Sequence, residues 1–211
     1  MIRVKVCGMT DPGNVKAVAV TKPDFMGFIF YPGSMRYVGK DPKAELFNTI
    51  PDVITRVGVF VDEDSDKILD LSFRFKLDMI QLHGMESPGA CSKLKSAGLR
   101  VVKTFRMDNH FNFWNIEKFL SVCDYFLFDT RSDKPGGSGI KFNWEILEEY
   151  PFDKPCFLSG GISPADVGLI RNLIIRGLFA VDINSRFETM PGIKAPGLVK
   201  TFIEELKIDQ R

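Results

Sequence analysis

The sequence lacks the features that mark membrane proteins, disulfide-stabilised secreted proteins and metalloproteins. No apolar run reaches the ~18 residues that a membrane span needs, and the first residues lack the apolar segment and cleavage site of a signal peptide. The 4 cysteines are widely spaced and form no Cys-x-x-Cys pair, which predicts reduced thiols and a cytoplasmic protein. There are only 2 histidines, with no carboxylates at ligand spacing, so we expect no metal site.

A strong net charge is also missing. The 28 Lys and Arg residues nearly balance the 27 Asp and Glu residues, which gives a net charge of +1. Neither nucleic acid nor an anionic membrane is therefore an expected partner. Any anionic ligand would have to be bound by a local group of donors.

Short apolar runs rich in strand-forming residues recur at intervals of roughly 25 residues, about the length of one βα unit. Their alternation with helix-like segments predicts a parallel sheet covered by helices, an α/β fold. Eight units favour closure into a single (β/α)8 (TIM) barrel over 1–211, although a flavodoxin-like open sheet alternates similarly with fewer units. The candidate strands are Ile2–Cys7, Phe25–Phe30, Ile54–Val61, Leu77–Leu82, Leu99–Phe105, Tyr125–Asp129, Pro155–Ser159 and Leu178–Ile183.

Prolines mark several expected helix starts. Asp11, Asp41, Ser87 and Ser163 each precede a proline. In this pattern the side chain accepts a free N–H of the first helical turn, and proline has no N–H to leave unpaired. The last helix is predicted by an apolar face with the spacing i, i+3, i+4 and i+7. The members of that face are Val199, Phe202, Ile203 and Leu206.

The loops after strands 7 and 8 are the usual phosphate site of such barrels, whose reacting groups lie at the carboxyl ends of the strands. Here strand 7 is followed by Gly160-Gly161 and strand 8 by Asn184-Ser185. Glycines let backbone N–H groups approach an anion closely, so we expect a phosphate site there. Alternatively, the two glycines only form a tight turn into the helix at Ser163.

Three other residues are candidates for function, and each has a structural alternative. Cys7 ends strand 1 and is either a small buried residue, the commoner role of a free cysteine, or a catalytic group. Asp129 ends the apolar run Tyr125–Phe128 and either anchors a loop or is an acid kept protonated by its apolar setting. Arg36 follows a loop rich in Gly and Pro and is either a surface cation or a bidentate partner for a carboxylate.

A set of short motifs spans the chain from Ile2 to about Lys194. Its members are Lys5-Val6-Cys7-Gly8-Met9-Thr10, Gly27-Phe28-Ile29-Phe30 with Ser34-Met35-Arg36, Val57-Gly58-Val59-Phe60, Gln81-Leu82-His83-Gly84, Asp129-Thr130 before Gly136-Gly137-Ser138-Gly139, Ser159-Gly160-Gly161-Ile162, and Pro191-Gly192-Ile193-Lys194. Together, and in this order, they resemble the phosphoribosylanthranilate isomerases of tryptophan biosynthesis. Any one motif would be weak evidence, whereas the set is highly specific.

The resemblance implies an isomerase that rearranges N-(5'-phosphoribosyl)anthranilate, a small phosphosugar, without a cofactor. It implies that Cys7 is the general base and Asp129 the general acid. It also implies that Arg36 binds the anthranilate carboxylate and that Asp182 lines the pocket. The implied phosphate site consists of Gly160, Gly161, Asn184 and Ser185. The protein would be a monomer or a homodimer.

Two segments depart from the family pattern. Small residues and a glycine are usual after strand 8, whereas this chain has Asn184-Ser185-Arg186-Phe187-Glu188. Arg186 either adds a cation near the phosphate or points to solvent. In the loop after strand 6, Ser138 and Asn143 replace the commoner Thr and Asp, a change that touches no expected catalytic group.

Other classes of protein compete with this interpretation. A histidine-pathway isomerase would carry an aspartate where Cys7 stands, and a pentose-phosphate epimerase would need metal-binding histidines and acids that this sequence does not offer. A catalytically silent barrel, kept as a binding partner, would have lost the acid or the base. This chain has both Cys7 and Asp129.

Overall fold

Eight parallel strands close into a barrel in which neighbours in the sequence are neighbours in the sheet. A computed structural model of the protein describes residues 1–108, 110–130 and 142–208. None of the helices within these ranges is long and apolar enough to cross a membrane. The barrel strands are β1 Arg3–Cys7, β2 Phe25–Ile29, β3 Thr55–Phe60, β4 Met79–Leu82, β5 Arg100–Met107, β6 Tyr125–Thr130, β7 Cys156–Leu158 and β8 Leu178–Ile183.

The first and last strands complete the ring. β1 pairs in parallel with β8, with Lys5 opposite Asp182. On its other side β1 pairs with β2, with Cys7 opposite Gly27. An open sheet would leave two unpaired edges, which closure removes. The predicted (β/α)8 barrel is therefore confirmed.

Helices cover the outside of the barrel. Among the described residues, the connections after β5 and β6 contain the 3₁₀ helices Phe113–Phe119 and Trp144–Glu149, where the sequence predicted ordinary amphipathic helices. The first is rich in aromatic residues, which lose side-chain freedom in an α-helix, and Pro151 holds the residue after the second in an extended conformation. The α-helices are α1 Pro12–Ala19, α2 Glu45–Asn48, α3 Ser65–Arg74, α4 Pro88–Ser96, α5 Val167–Asn172 and α6 Pro196–Ile208.

The expected helix caps are mostly present. Asp11 and Ser87 cap α1 and α4, each accepting a hydrogen bond from an N–H of the first turn. Ser163 is the N-cap of the short 3₁₀ helix Pro164–Asp166, which leads into α5. The prediction for Asp41 is wrong, because α2 begins 4 residues further on at another cap. Asp41 is exposed and pairs instead with the charged side chain of Arg74.

An aspartate directly precedes each of β2, β4 and β6. The carboxylates of Asp24, Asp78 and Asp124 each accept a hydrogen bond from a backbone N–H of the strand before, at 2.8 to 2.9 Å. These N–H groups lie in the first half of β1, β3 and β5. The repeated contact fixes the register at the amino ends of the strands, opposite the expected site.

A second apolar cluster fills the amino-terminal half of the barrel interior. It takes one side chain from each of β2 to β8 and is separate from the main core between strands and helices. Because side chains alternate along a strand, residues two positions further on also face the interior. The cluster consists of Phe25, Val57, Met79, Val102, Leu127, Phe157 and Ala180.

Candidate active site

Polar side chains replace apolar ones at the next inward positions, toward the carboxyl ends of the strands. Four polar residues in this layer are almost fully buried. Each follows a member of the second apolar cluster by two residues in the sequence. Asp129 holds the corresponding position on β6. Buried polar groups cost free energy unless they are paired, so this layer indicates a site rather than packing. The four residues are Gln81, Thr104, Ser159 and Asp182.

Cys7 lies at the carboxyl end of β1 and is 4% exposed. A Cβ added to Gly27, its partner on β2, would lie 2.7 Å from the Cys7 Sγ and 3.1 Å from the Lys5 Nζ. The thiol and the ammonium group therefore converge on the space that this glycine leaves open. A larger residue at position 27 would displace both.

Lys5 and Asp182 form an ion pair inside the barrel. The Lys5 Nζ donates to the Asp182 Oδ1 at 2.9 Å, and the two side chains are 1% and 5% exposed. Burial lowers the pKa of Lys5, but the charges and hydrogen bonds of Asp182 and Cys7 outweigh it, so the pKa is raised overall. Lys5 is therefore a cation held within the site.

Asp182 interacts electrostatically with both candidate acid–base groups. Burial raises the pKa of Asp182, Lys5 opposes this, and the charge of Asp129 raises the pKa further. Burial is also the largest cause of the raised pKa of Cys7; the charge of Lys5 opposes it, and the charge of Asp182 adds to it. Cys7 shares the space beside Gly27 with the Lys5 Nζ, which binds Asp182, and Asp129 holds the inward position on β6 that Asp182 holds on β8.

Asp129 is held from two sides. Its Oδ1 accepts a hydrogen bond from the Thr130 N–H at 2.8 Å, and its Oδ2 lies 3.3 Å from the Nε2 of His83. The Gln81 Nε2 lies 2.9 Å from the Nδ1 of the same imidazole. With the amide donating to Nδ1, the ring proton is on Nε2 and faces Asp129. Asp129 therefore serves as a local anchor and also faces a proton donor.

Arg36 is buried, so the alternative of a solvated surface cation is wrong. Its Nε and Nη2 donate to both carboxylate oxygens of Glu188 at 2.6 to 3.1 Å, and the two side chains are 6% and 5% exposed. Among the residues that the structure describes, none accepts a hydrogen bond from the Arg36 Nη1. One end of the guanidinium is thus held by the protein, and the other is available to a second carboxylate.

Glu188 belongs to a hairpin, β9 Glu188–Met190 and β10 Ile193–Lys194, that follows β8. Lys194 is 1% exposed, and its Nζ contacts the Glu188 Oε1 and, at 2.6 Å, the Asn184 Oδ1. The Asn14 side chain on α1 forms two hydrogen bonds of 2.8 Å with the backbone of Lys194. The hairpin is thereby fixed to the carboxyl-end face of the barrel and carries two of the charged groups around Arg36.

The loop after β7 makes the turn that the two glycines suggested. Gly160 and Gly161 have φ values of +91° and +72°, a region that non-glycine residues rarely adopt. A Cβ at Gly160 would lie 2.7 Å from the Thr130 backbone N and closer still to its side chain. Ser163 follows, and its N–H and hydroxyl both donate to the Asp166 carboxylate at 2.6 to 2.7 Å.

The loop after β8 joins the expected phosphate site to the Arg36 cluster. Ser185 begins a 3₁₀ helix of 3 residues, and the Asn184 side chain is held by Lys194. Arg186 is exposed. The family-like segment Gly136–Gly139, including Ser138, lies outside the described residues, whereas Asn143 caps the 3₁₀ helix after β6.

Sequence analysis named Cys7, Asp129 and Asp182, which lie toward the carboxyl ends of β1, β6 and β8, but it missed the groups that surround them. His83 was weighed only as a metal ligand, and the roles of Lys5, Glu188 and Lys194 were not foreseen. Lys5 had one available signal, since a lysine two residues before Cys7 must share its face of the strand. In the described ranges, no group of three or more His, Cys, Asp or Glu side chains is arranged to hold a metal ion.

The closed parallel barrel and the polar side chains at the carboxyl ends of its strands define a (β/α)8-barrel enzyme. The chain belongs to the N-(5'-phosphoribosyl)anthranilate isomerase family, whose model matches residues 4–205. The isomerase of Phocaeicola vulgatus is 44% identical over 204 residues, 97% of each chain. The predicted family and isomerase activity are confirmed.

Two solved structures extend this similarity to three dimensions. The phosphoribosylanthranilate isomerase of Thermotoga maritima matches with a TM-score of 0.85 and 34% identity over 98% of this chain and 99% of its own. A second isomerase structure, in complex with reduced 1-(o-carboxyphenylamino)-1-deoxyribulose 5-phosphate, matches with a TM-score of 0.80 and 31% identity over 98% and 99% of the two chains.

Proposed function

We propose that this chain catalyses the reaction of its family with Cys7 as the general base and Asp129 as the general acid. The reaction converts N-(5'-phosphoribosyl)anthranilate into 1-(2-carboxyphenylamino)-1-deoxyribulose 5-phosphate, an Amadori rearrangement in L-tryptophan biosynthesis. The observation that most supports these roles is their place in one polar layer: Cys7 lies beside the Lys5–Asp182 pair, and Asp129 holds the same inward position on β6 as Asp182 does on β8. Each step moves only protons and electron pairs within the substrate, so no cofactor is expected.

Ring opening is the acid-catalysed step. The ring oxygen of the ribose takes a proton as its bond to C1' breaks, and the anthranilate nitrogen supplies the electron pair that forms the Schiff base. Asp129 donates this proton. The Nε2–H of His83, 3.3 Å from the Asp129 Oδ2, stabilises the carboxylate that is left.

Proton abstraction is the base-catalysed step. Cys7 takes the C2' proton as a thiolate, and the electrons of the C–H bond form the C1'–C2' double bond and neutralise the iminium nitrogen. The resulting enolamine becomes the ketone when a proton is added at C1' and the proton of the C2' hydroxyl is lost. Protons taken up and released balance over the cycle.

Arg36 binds the anthranilate carboxylate in this proposal. Glu188 holds the Nε and Nη2 of Arg36, so the substrate would approach from the Nη1 end. Arg36 and Lys194 are two cations around the single carboxylate of Glu188. The remaining positive charge favours an anion, and in a buried site this attraction is stronger than in water.

The phosphate would be bound by the loops after β7 and β8. The left-handed backbone at Gly160 and Gly161 is of the kind that directs successive N–H groups into an anion-binding concavity. The Asn184 side chain is engaged by Lys194, so Asn184 and Ser185 would contribute through their backbone and the Ser185 hydroxyl.

We also propose that residues 1–211 form one domain and that the protein is cytoplasmic. It acts as a monomer or a homodimer on a small phosphosugar, without nucleic acid. Light scattering coupled to gel filtration distinguishes the mass of one chain from that of two.

The direct test is turnover by the purified protein. Loss of the fluorescence of N-(5'-phosphoribosyl)anthranilate should follow first-order decay in proportion to enzyme, and added EDTA should not slow it. An inactive, folded protein would contradict the proposal. Activity confined to the aminoaldose of a histidine-pathway isomerase would assign the site to that class instead.

A further inference from the structure

The ammonium group of Lys5 lies within the barrel between an acid and a thiol. Lys5 is 1% exposed, its Nζ is 2.9 Å from the Asp182 Oδ1, and it shares the space beside Gly27 with the Cys7 Sγ. β1 and β8 pair with Lys5 opposite Asp182, and Cys7 follows two residues later on the same face. The backbone therefore fixes all three positions.

This arrangement is costly if it serves stability alone. Taking a cation and a carboxylate out of water costs free energy, and a well-packed apolar pair often stabilises a fold as well or better. The second apolar cluster directly below Lys5 and Asp182 offers such packing. A charged pair at this depth indicates a role in the chemistry above it.

Three charged side chains act on the Cys7 thiol. Burial raises its pKa most; Lys5 on β1 and Lys194 on β10 lower it, and Asp182 on β8 raises it. Lys5 contributes through both its charge and a hydrogen bond, so its effect exceeds that of Asp182. Burial prevails, so the pKa of Cys7 stays raised overall, and Lys5 is the largest of the effects that oppose the unreactive protonated form.

We propose that Lys5 is a positioning residue that stabilises Cys7 as a thiolate, and that Asp182 keeps Lys5 cationic and directed at the sulfur. Lys5 need not touch the substrate. The thiol gives its proton to solvent, and the ammonium group remains protonated throughout. The use of the thiolate in catalysis rests on the proposed function, but its stabilisation by Lys5 does not.

The test is a pH titration of thiolate absorbance at 240 nm, taken as the difference between each protein and its Cys7→Ser counterpart. The subtraction removes the other cysteines and the tyrosines. In Lys5→Met the midpoint of the Cys7 titration should move to higher pH. At a fixed pH below that midpoint, the variant should contain about tenfold less thiolate than the wild type, which is the smallest effect expected from losing a close opposite charge. Lys5→Arg should restore the wild-type midpoint.

Lys5→Met alone leaves a buried carboxylate unpaired and could therefore misfold. A second variant controls for this effect. The double variant Lys5→Met with Asp182→Asn removes both charges, and its midpoint should still lie above that of the wild type. An unchanged or lower midpoint in a folded Lys5→Met or double variant would overturn the proposal. Because absorbance reports the thiolate without turnover, a confirmed shift together with an active Cys7→Ser enzyme would reject the catalytic role of Cys7 and leave the role of Lys5 intact.

Discussion

A thiol that acts as a base and a carboxyl that acts as an acid must each adopt the less common of its two protonation states. A thiol accepts a proton as the thiolate, and a carboxyl donates one only when protonated. At Cys7 burial works against the reactive form, and the nearby cations Lys5 and Lys194 work for it. At Asp129 the contact with His83 provides a donor for the carboxylate that forms. In the proposed mechanism, Cys7 and Asp129 thus each depend on neighbours that transfer no proton.

Cys7→Ser and Asp129→Asn should each reduce kcat strongly, by about 10²- to 10⁴-fold, since that is the usual contribution of a general acid or base. Both changes keep the shape of the side chain, so thermal unfolding should be nearly unchanged. Cys91→Ser, at a fully buried thiol in α4, and Asp66→Asn, at an exposed carboxylate, are matched controls that should retain activity. Near-wild-type turnover in either site variant removes that residue from the mechanism.

Gly160 is tested by adding a single methyl group. Gly160→Ala should lower the free energy of unfolding by about 1 to 2 kcal/mol, the cost of a left-handed backbone for an L-residue, with a further penalty from the clash with Thr130. It should also raise the KM, because the loop that would bind phosphate must shift. Gly168→Ala is the control, since a Cβ there meets nothing within 4 Å. Equal stability of the two variants, measured by urea unfolding, would contradict the strain at Gly160.

At the scale of elements, the β9–β10 hairpin is part of the candidate site and not only an addition to the barrel. It carries Glu188 and Lys194, and its backbone is fixed to α1 through Asn14. Thr10, in the loop after β1, donates to the Gly192 carbonyl at the turn of the hairpin. The hairpin therefore links the loop beside Cys7 to the guanidinium of Arg36.

Glu188→Gln should destabilise the protein by about 3 kcal/mol at neutral pH, because it leaves two buried cations without their carboxylate. Burial raises the pKa of Glu188, but Arg36 and Lys194 outweigh it, so the folded-state pKa is lowered. The stabilisation is therefore complete above the ordinary glutamate pKa and is lost as pH falls through the lower folded-state value. Urea unfolding between pH 7 and pH 3 should show the difference from wild type narrowing with acid.

The matched control for this change is Glu204→Gln. Glu204 is exposed on α6, and its contact with Lys200 is a surface pair worth little. A Glu188→Gln variant as stable as Glu204→Gln at pH 7, or a difference that widens as pH falls, would contradict the ion-pair cluster.

Two aspartates precede prolines in the sequence, but only Asp11 caps a helix; Asp41 does not. Asp11→Ala should cost about 1 kcal/mol, because it removes the acceptor for an N–H of α1. Asp41→Ala should change stability by less than about 0.5 kcal/mol, since it removes only an exposed ion pair with Arg74. Urea unfolding of both variants tests this, and equal losses would argue that Asp41 has a capping role after all.

At the scale of the whole molecule, strand positions and order were predictable because each strand is a local pattern of apolar residues between capped helices. The strand bounds differ from the prediction by at most 2 residues. Cys7, Asp129 and Arg36 could be named as candidate site residues because the family motifs contain them. The 3₁₀ helices after β5 and β6 could not be predicted from the sequence, because their conformation depends on how aromatic side chains such as Phe113 pack against the barrel.

The charged partners in the site were beyond sequence reasoning for a physical reason. Lys5 and Asp182 are 177 residues apart in the chain, and Arg36 and Glu188 are 152 apart. Pairs this distant are created by closure of the ring and by docking of the hairpin, neither of which leaves a periodic signal. Arg36 was expected to meet only the substrate, whereas the protein itself supplies its first carboxylate.

The pairing of β1 with β8 also determines when, during synthesis, the candidate site can form. Asp182 is synthesised long after Lys5 and Cys7, so a nascent chain on the ribosome carries an exposed lysine and thiol that have no counterion until the eighth strand emerges and joins the first. Contacts of such long sequence separation must first overcome the entropy of closing a long loop. An interrupted translation product would thus lack activity even though it contains the reactive sulfur.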